Sequence, residues 1–286
     1  MKKIAIISDS SISFTKEEAK KWDVYILPNV IIHNDESYLD QITITNKEIN
    51  HLLREKERIT TSQANIGTMT EMLKKIQRKN YDHIIILTIA SVLSGVYNGF
   101  VQASKFVALE NCTIIDTHSI AGPVQQAVRA IRQMNANGYN IQEILDYLEF
   151  LFKNQVSYLY PKSLDQIVAS GRVSKTASKI ASFLRIKPIV YLSKTGDKID
   201  RFGIARTDER AFDKIIEHFK KHKVTPEKYD LFLLENENIK QANTFKESLF
   251  KKLGEFNSHI IKLPAALSVH AGIGAIAIQW CPKIPR

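Results

Sequence analysis

Cysteine is scarce in this chain: Cys112 and Cys281 are the only two. Neither has a Cys-x-x-Cys neighbour, so a disulfide framework is not indicated, and no zinc-finger spacing is present. There is no G-x-G-x-x-G dinucleotide fingerprint and no P-loop with its lysine, which removes the usual cradles for dinucleotides and nucleoside triphosphates. There is no G-x-S-x-G nucleophile elbow. Long apolar runs are nearly absent too. The longest, L-P-A-A-L-S-V-H-A-G-I-G-A-I-A-I-Q-W at 263–280, is broken by Pro264, His270 and two glycines. It is expected as core strands joined by a turn rather than as a transmembrane helix. The opening M-K-K-I-A-I-I-S-D-S-S has an apolar run too short for a signal peptide, and Asp9 interrupts it. A first strand and a cytoplasmic protein are expected.

Of the 286 residues, 44% are hydrophobic and 24% charged, a globular composition long enough for one large core or two modest ones. The net charge of +10 invites an acidic partner: a nucleic acid, a membrane surface, a phosphorylated ligand or an acidic protein. Much of the excess lies between Gly171 and Thr225, with 14 Lys or Arg against 6 Asp or Glu. Such a stretch is either a solvated surface or a docking face. No nucleic-acid motif accompanies it.

Up to about residue 158 the pattern alternates. K-I-A-I-I-S-D-S-S, H-I-I-I-L-T-I and C-T-I-I-D-T-H-S read as short strands ending in polar residues. Between and after them run helical stretches such as T-N-K-E-I-N-H-L-L-R, with Thr45 or Asn46 as cap, and G-P-V-Q-Q-A-V-R-A-I-R-Q-M-N-A-N-G. I-T-T-S-Q-A-N-I-G reads as a hydroxyl-rich turn. This is an α/β pattern with a mainly parallel sheet. The remainder, with a hairpin at Thr195-Gly196-Asp197, reads as α+β. Two domains are expected, 1–158 and 159–286.

Ligands in open α/β sheets sit beyond the carboxyl ends of the strands. Four polar clusters fall at such ends: Ser8-Asp9-Ser10-Ser11, Thr60-Thr61-Ser62-Gln63, Ser91 to Gly95, and Asp116-Thr117-His118-Ser119. Each suits a helix cap or a turn. Ser91 and Ser94 are also three apart, so at a helix N-terminus both hydroxyls can face one spot with the free N–H groups, a cradle for a carboxylate or phosphate. Gly95 would let a ligand approach the backbone. His270, between apolar residues and a glycine turn, reads as a satisfied core histidine, as a donor to a ligand carboxylate, or as a base. His218 and His222 have i, i+4 spacing but no acidic or thiol partners nearby, and no metal site is expected. Asp9 and Asp116 suit turns, or acid–base work.

S-D-S-S at 8–11, Leu27-Pro28, Tyr38-Leu39-Asp40, T-T-S-Q at 60–63, Ser91 through L-S-G at 93–95, I-I-D-T at 114–117, S-G-R at 170–172, L-R-I-K-P at 184–188, R-T at 206–207 and H-A-G-I-G at 270–274 follow one another along the chain. Together and in this order they resemble the motifs of the DegV family of bacterial fatty-acid-binding proteins. The sequence departs from the family pattern at Ser8, Ala64-Asn65, Val96 and Ser170, none of them a carboxylate ligand.

The resemblance implies two domains holding one long-chain fatty acid in a tunnel between them, with no other cofactor. The carboxylate would be bound by Thr61, Ser94 and His270, with Ser62, Ser91, Gly95, Asp9 and Ser10 as secondary contacts. Phe100 and Phe106 would shape the tunnel. Family members that work with a fatty acid kinase present the carboxylate for phosphorylation to an acyl-phosphate, and Arg172 and Arg206 would suit kinase docking or phosphate contact. The implied protein is a carrier without catalysis, making at most transient membrane contact and binding no nucleic acid. A serine hydrolase or acyltransferase using Ser94 and His270 is the alternative.

Overall fold

The computed structural model describes residues 2–174, 186–192 and 198–285. It opens with β1 (Ile4–Asp9), buried at every position, as an unbroken apolar run requires of a strand covered on both faces. There follow α1 (Lys16–Lys21), β2 (Val24–Leu27), β3 (Val30–His33), β4 (Glu36–Leu39), α2 (Asn46–Arg54), β5 (Ile59–Ser62), α3 (Ile66–Gln77), β6 (His83–Thr88), α4 (Val96–Val107), β7 (Cys112–Asp116), α5 (Gly122–Ala136) and α6 (Ile141–Lys153). Capping boxes start three of the helices, Thr15 with Glu18, Thr45 with Glu48 and Asn140 with Glu143. Each satisfies two of the N–H groups that a helix start leaves unpaired.

Strands β2-β1-β6-β7 form an all-parallel sheet, the α/β layer that the sequence pattern implies. A small antiparallel sheet, β4-β3-β5, stands beside it. Its third strand corrects the reading of 59–62 as a turn, since Ile59 to Ser62 pair with His33 to Val30. β-branched Ile and Thr favour an extended, half-buried strand.

The second half runs β8 (Val156–Tyr160), α7 (Asp165–Ala169), β9 (Lys187–Leu192), β10 (Ile199–Ala205), α8 (Asp208–Lys221), β11 (Tyr229–Glu235), α9 (Ile239–Leu253), β12 (Ser258–Lys262), α10 (Ala265–Ala271) and β13 (Ile276–Pro282). Its six-stranded sheet has the order β10-β9-β8-β13-β11-β12 and is antiparallel except between β11 and β12. Two layers of different sheet type are therefore present. The division expected at residue 158 falls within β8, whose five residues all pair with β13. β9 and β10 pair as a hairpin would, but the turn at Thr195-Gly196-Asp197 lies outside the described residues. The apolar segment 263–280 is not all strand: residues 265–271 are helical, and only β13 is extended.

The two layers share a core. One apolar cluster joins Ile6 and Leu87 of the parallel sheet, helices α5 and α6, and Phe232 and Ala277 of the second sheet. Helix α5 is buried along nearly its whole length. Its polar side chains there are hydrogen-bonded, as burial demands: Gln125 Nε2 donates to Ile12 O at 2.9 Å and Gln126 Nε2 to Asp230 Oδ2 at 2.7 Å. Among the described residues no helix is long and apolar enough to cross a membrane. Cys112 and Cys281 are both free thiols.

Candidate functional site

Three of the four polar clusters meet at the carboxyl edge of the parallel sheet, where they stitch its connections together. Asp9 Oδ1 accepts from Ser11 N at 3.0 Å and Asn29 Nδ2 at 3.2 Å, and its Oδ2 accepts from Ile89 N at 2.8 Å. Ser10 Oγ donates to Asp40 Oδ2 at 2.6 Å and accepts from Asn29 N at 3.0 Å. Asp116 Oδ1 accepts from the main-chain N–H groups of Ser91 and His118, at 3.1 and 3.0 Å. Thr117 Oγ1 donates to Thr88 O at 2.7 Å.

Between this edge, α10 and the second sheet lies a cavity of about 310 Å³, the size of a small-molecule site. Leu159, Val190, Leu192, Ile199 and Leu267 give it a largely apolar wall. Polar side chains join it from three directions. Thr61 is the penultimate residue of β5, Ser94 precedes α4, and His270 projects from α10. Thr61 Oγ1 and His270 Nε2 are hydrogen-bonded at 2.7 Å. Arg172 also lines the cavity, fixed by its Nε donating to Leu93 O at 2.8 Å and its Nη1 to Ser170 O at 3.4 Å. Burial, and after it the Arg172 charge, pushes the His270 pKa down to about 4, so the ring is neutral at neutral pH. No carboxylate bonds His270 among the described residues; its partner is a hydroxyl. Ser62 and Gly95, both exposed, also belong to the cavity wall, so this polar end reaches the surface. Hydroxyls, a neutral imidazole and a guanidinium beside an apolar space suit an amphiphile with an anionic head.

A family model described as an uncharacterised protein of the DegV family matches residues 3–283. The chain belongs to the DegV family. It is 28% identical over 281 residues to a DegV domain-containing protein of Clostridium acetobutylicum, covering 97% of this chain and 98% of that one. Among solved structures it resembles a fatty-acid-binding DegV family protein from Thermus thermophilus, with a TM-score of 0.89, 20% identity and coverage of 99% and 100% of the two chains. It also resembles a stearic acid-binding protein from Eubacterium ventriosum, with a TM-score of 0.87, 20% identity and 99% of each chain covered.

In this DegV chain Thr61, Ser94, His270, Ser62 and Gly95 line one cavity, while Ser91, Asp9 and Ser10 do not. Residues 91–93 form a turn and the helix begins only at Val96, so Ser91 and Ser94 are not one helical turn apart on one face. Ser91 is exposed, and Asp9 and Ser10 lie a layer deeper behind Asn29, which does line the cavity. A Cβ on Gly95 would come within 2.2 Å of Gln63 Oε1; the space left by the missing side chain is taken by Gln63. Phe100, on the buried face of α4, is packed in the core and Phe106 is 72% exposed, so neither lines the cavity. Arg206 is exposed and outside the cavity. His218 and His222 lie tilted against Trp280, and His218 Nδ1 bonds the Tyr158 hydroxyl. Among the described residues no group of three or more His, Cys, Asp or Glu gathers as a metal site would. Sequence reasoning missed the places of Arg172 and Asn29 in the cavity wall; Asn29 directly follows the Leu27-Pro28 motif.

Proposed function

We propose that the protein binds one long-chain fatty acid in this cavity, with the carboxylate held by Thr61, Ser94 and His270 and faced by Arg172. The hydrogen-bonded Thr61–His270 pair beside Ser94, at the polar end of an apolar space, carries the reading. With the proton on His270 Nε2, that N–H is shared between Thr61 Oγ1 and a carboxylate oxygen, and the Thr61 hydroxyl is free to donate to the carboxylate as well. Roughly ten buried methylenes supply about 8 kcal/mol of gross transfer energy, of the order of the association and ordering terms they must offset. Fatty-acid binding by the similar proteins of Thermus thermophilus and Eubacterium ventriosum supports the same ligand class.

The reading takes the chain as a cytoplasmic carrier of two units, 1–158 and 159–286, that presents the carboxylate to a fatty acid kinase and has no catalysis of its own. The surface position of the polar end at Ser62 and Gly95 supports presentation, and exposed Arg206 suits an acidic docking partner. The change of sheet at β8 supports the two units. A serine hydrolase would need His270 on Ser94, whereas its partner is Thr61. Native mass spectrometry of the purified protein, followed by lipid extraction, tests the reading. A bound mass of one fatty acid is expected. A protein that is empty and takes up no added fatty acid overturns it.

A further inference from the structure

The H-A-G-I-G motif contains two glycines that the carboxylate site does not use. Gly272 and Gly274 have φ of 79° and 81°, and each lies under a side chain of the 162–166 segment. A Cβ on Gly272 would fall 2.2 Å from Gln166 Oε1, and one on Gly274 would fall 2.2 Å from Lys162 Cε. The second glycine therefore clears the space across which Lys162 extends. Lys162 forms part of a separate cavity of about 330 Å³, with Tyr160, Lys187, Asp208, Asn238 and Lys240.

The floor of that cavity is held in place. Asn238 Nδ2 donates to Gly274 O at 2.7 Å and to Gln241 Oε1 at 2.6 Å, tying the glycine loop to the start of α9. Asp208 Oδ1 accepts from Tyr160 OH at 2.6 Å and from Lys187 Nζ at 3.0 Å. Burial pushes the Asp208 carboxyl up, but bonds from Tyr160, Lys187 and Gln241 hold it below the usual range. That carboxylate balances Lys187. Lys162 and Lys240, both exposed, have no ion-pair partner among the described residues, so two lysines without a paired carboxylate border one space. Pro161 and Phe212 add an apolar wall.

We propose that this cavity is a second binding site, for a small phosphate-bearing anion held between Lys162 and Lys240. Two unbalanced ammonium groups match a phosphate dianion, and the Pro161–Phe212 wall suits the organic part of a phosphate ester. The site is independent of the fatty-acid reading.

The test is calorimetric titration of the full chain, lipid-loaded as purified, with inorganic phosphate and with ribose 5-phosphate at low ionic strength. One-to-one binding is expected, weakened about tenfold or more in Lys162→Ala/Lys240→Ala. Two exposed lysines elsewhere, changed in Lys47→Ala/Lys251→Ala, should leave it unaltered. Thermal unfolding checks that each variant is folded. Tighter binding of ribose 5-phosphate assigns an ester and tighter binding of inorganic phosphate assigns the free ion; either keeps the site. Absence of binding at millimolar ligand, unchanged binding in the Lys162/Lys240 variant, or an equal loss in the control pair overturns it.

Discussion

Replacing His270 with glutamine keeps a neutral N–H donor and removes the titrating ring. With its pKa near 4, His270 contributes a hydrogen bond to the ligand site and no charge between pH 6.5 and 8.5. The ligand charge would raise that value, and Arg172, already pushing it down, opposes the rise. Affinity for a long-chain acid should therefore be flat across this window as far as His270 is concerned. A ring titrating at its ordinary 6.5 would instead gain an ionic partner on binding, and affinity would climb more than about tenfold toward pH 6.5. Removing the donor altogether in His270→Ala leaves a charged, partly buried carboxylate one bond short. That is worth about 1.5–3 kcal/mol, or about 10–150-fold in Kd, with His270→Gln between the two. The assay is displacement of a fluorescent fatty acid from delipidated protein at submicromolar concentration. It should be repeated in an Asp40→Asn background, because Asp40 has a pKa of about 6. Affinity that tightens several-fold at pH 6.5 in the wild type but not in His270→Gln would refute a neutral His270. A His270→Ala variant that binds as the wild type does would refute its place in the site.

Asp40 is buried, accepts from Ser10, and leaves Oδ1 without a partner among the described residues; burial raises its pKa to about 6 against the pull of its hydrogen bonds. A raised folded-state value means stability present below about pH 4 and lost as pH rises through 6, about 3 kcal/mol by pH 8. Asp40→Asn should raise the urea midpoint at pH 8 and leave it nearly unchanged at pH 4; an equal shift at both would sink that account. Ser94→Ala should weaken fatty-acid binding by about tenfold, whereas Ser91→Ala should not change it; equal effects would mean that both hydroxyls reach the ligand. Any turnover of a chromogenic ester by the purified chain should be the same in Ser94→Ala, and turnover abolished by that change would establish an enzyme.

Buried strands were the easiest elements to read, because IAIISD and HIIIL are apolar runs of strand length ending in polar residues. Helix starts at Thr45 and Asn140 follow from side chains that accept their own N3 N–H. Helix α10 escaped because LSVHA sits in a continuous apolar stretch, where periodicity cannot separate a buried helix from a buried strand. β5 escaped because its pairing with β3 reaches across the intervening α2. The family resemblance singles out Thr61, Ser94 and His270, and all three line one cavity. The position of Arg172 was not, since it depends on Leu93 O, 79 positions away in the chain.

Helix α5 and strand β13 also bear on how the chain is made. α5 packs on β11 and β13, which emerge from the ribosome long after it. β13 occupies the middle of the second sheet, between β8 and β11, yet it is later in the chain than every other strand described. During synthesis the parallel sheet can assemble early, but one flank of α5, near Phe232 and Gln279, stays uncovered until β13 arrives. A nascent chain stalled at any point before Ile276 would present that apolar flank to chaperones, and a fragment cut at residue 158 would keep it permanently.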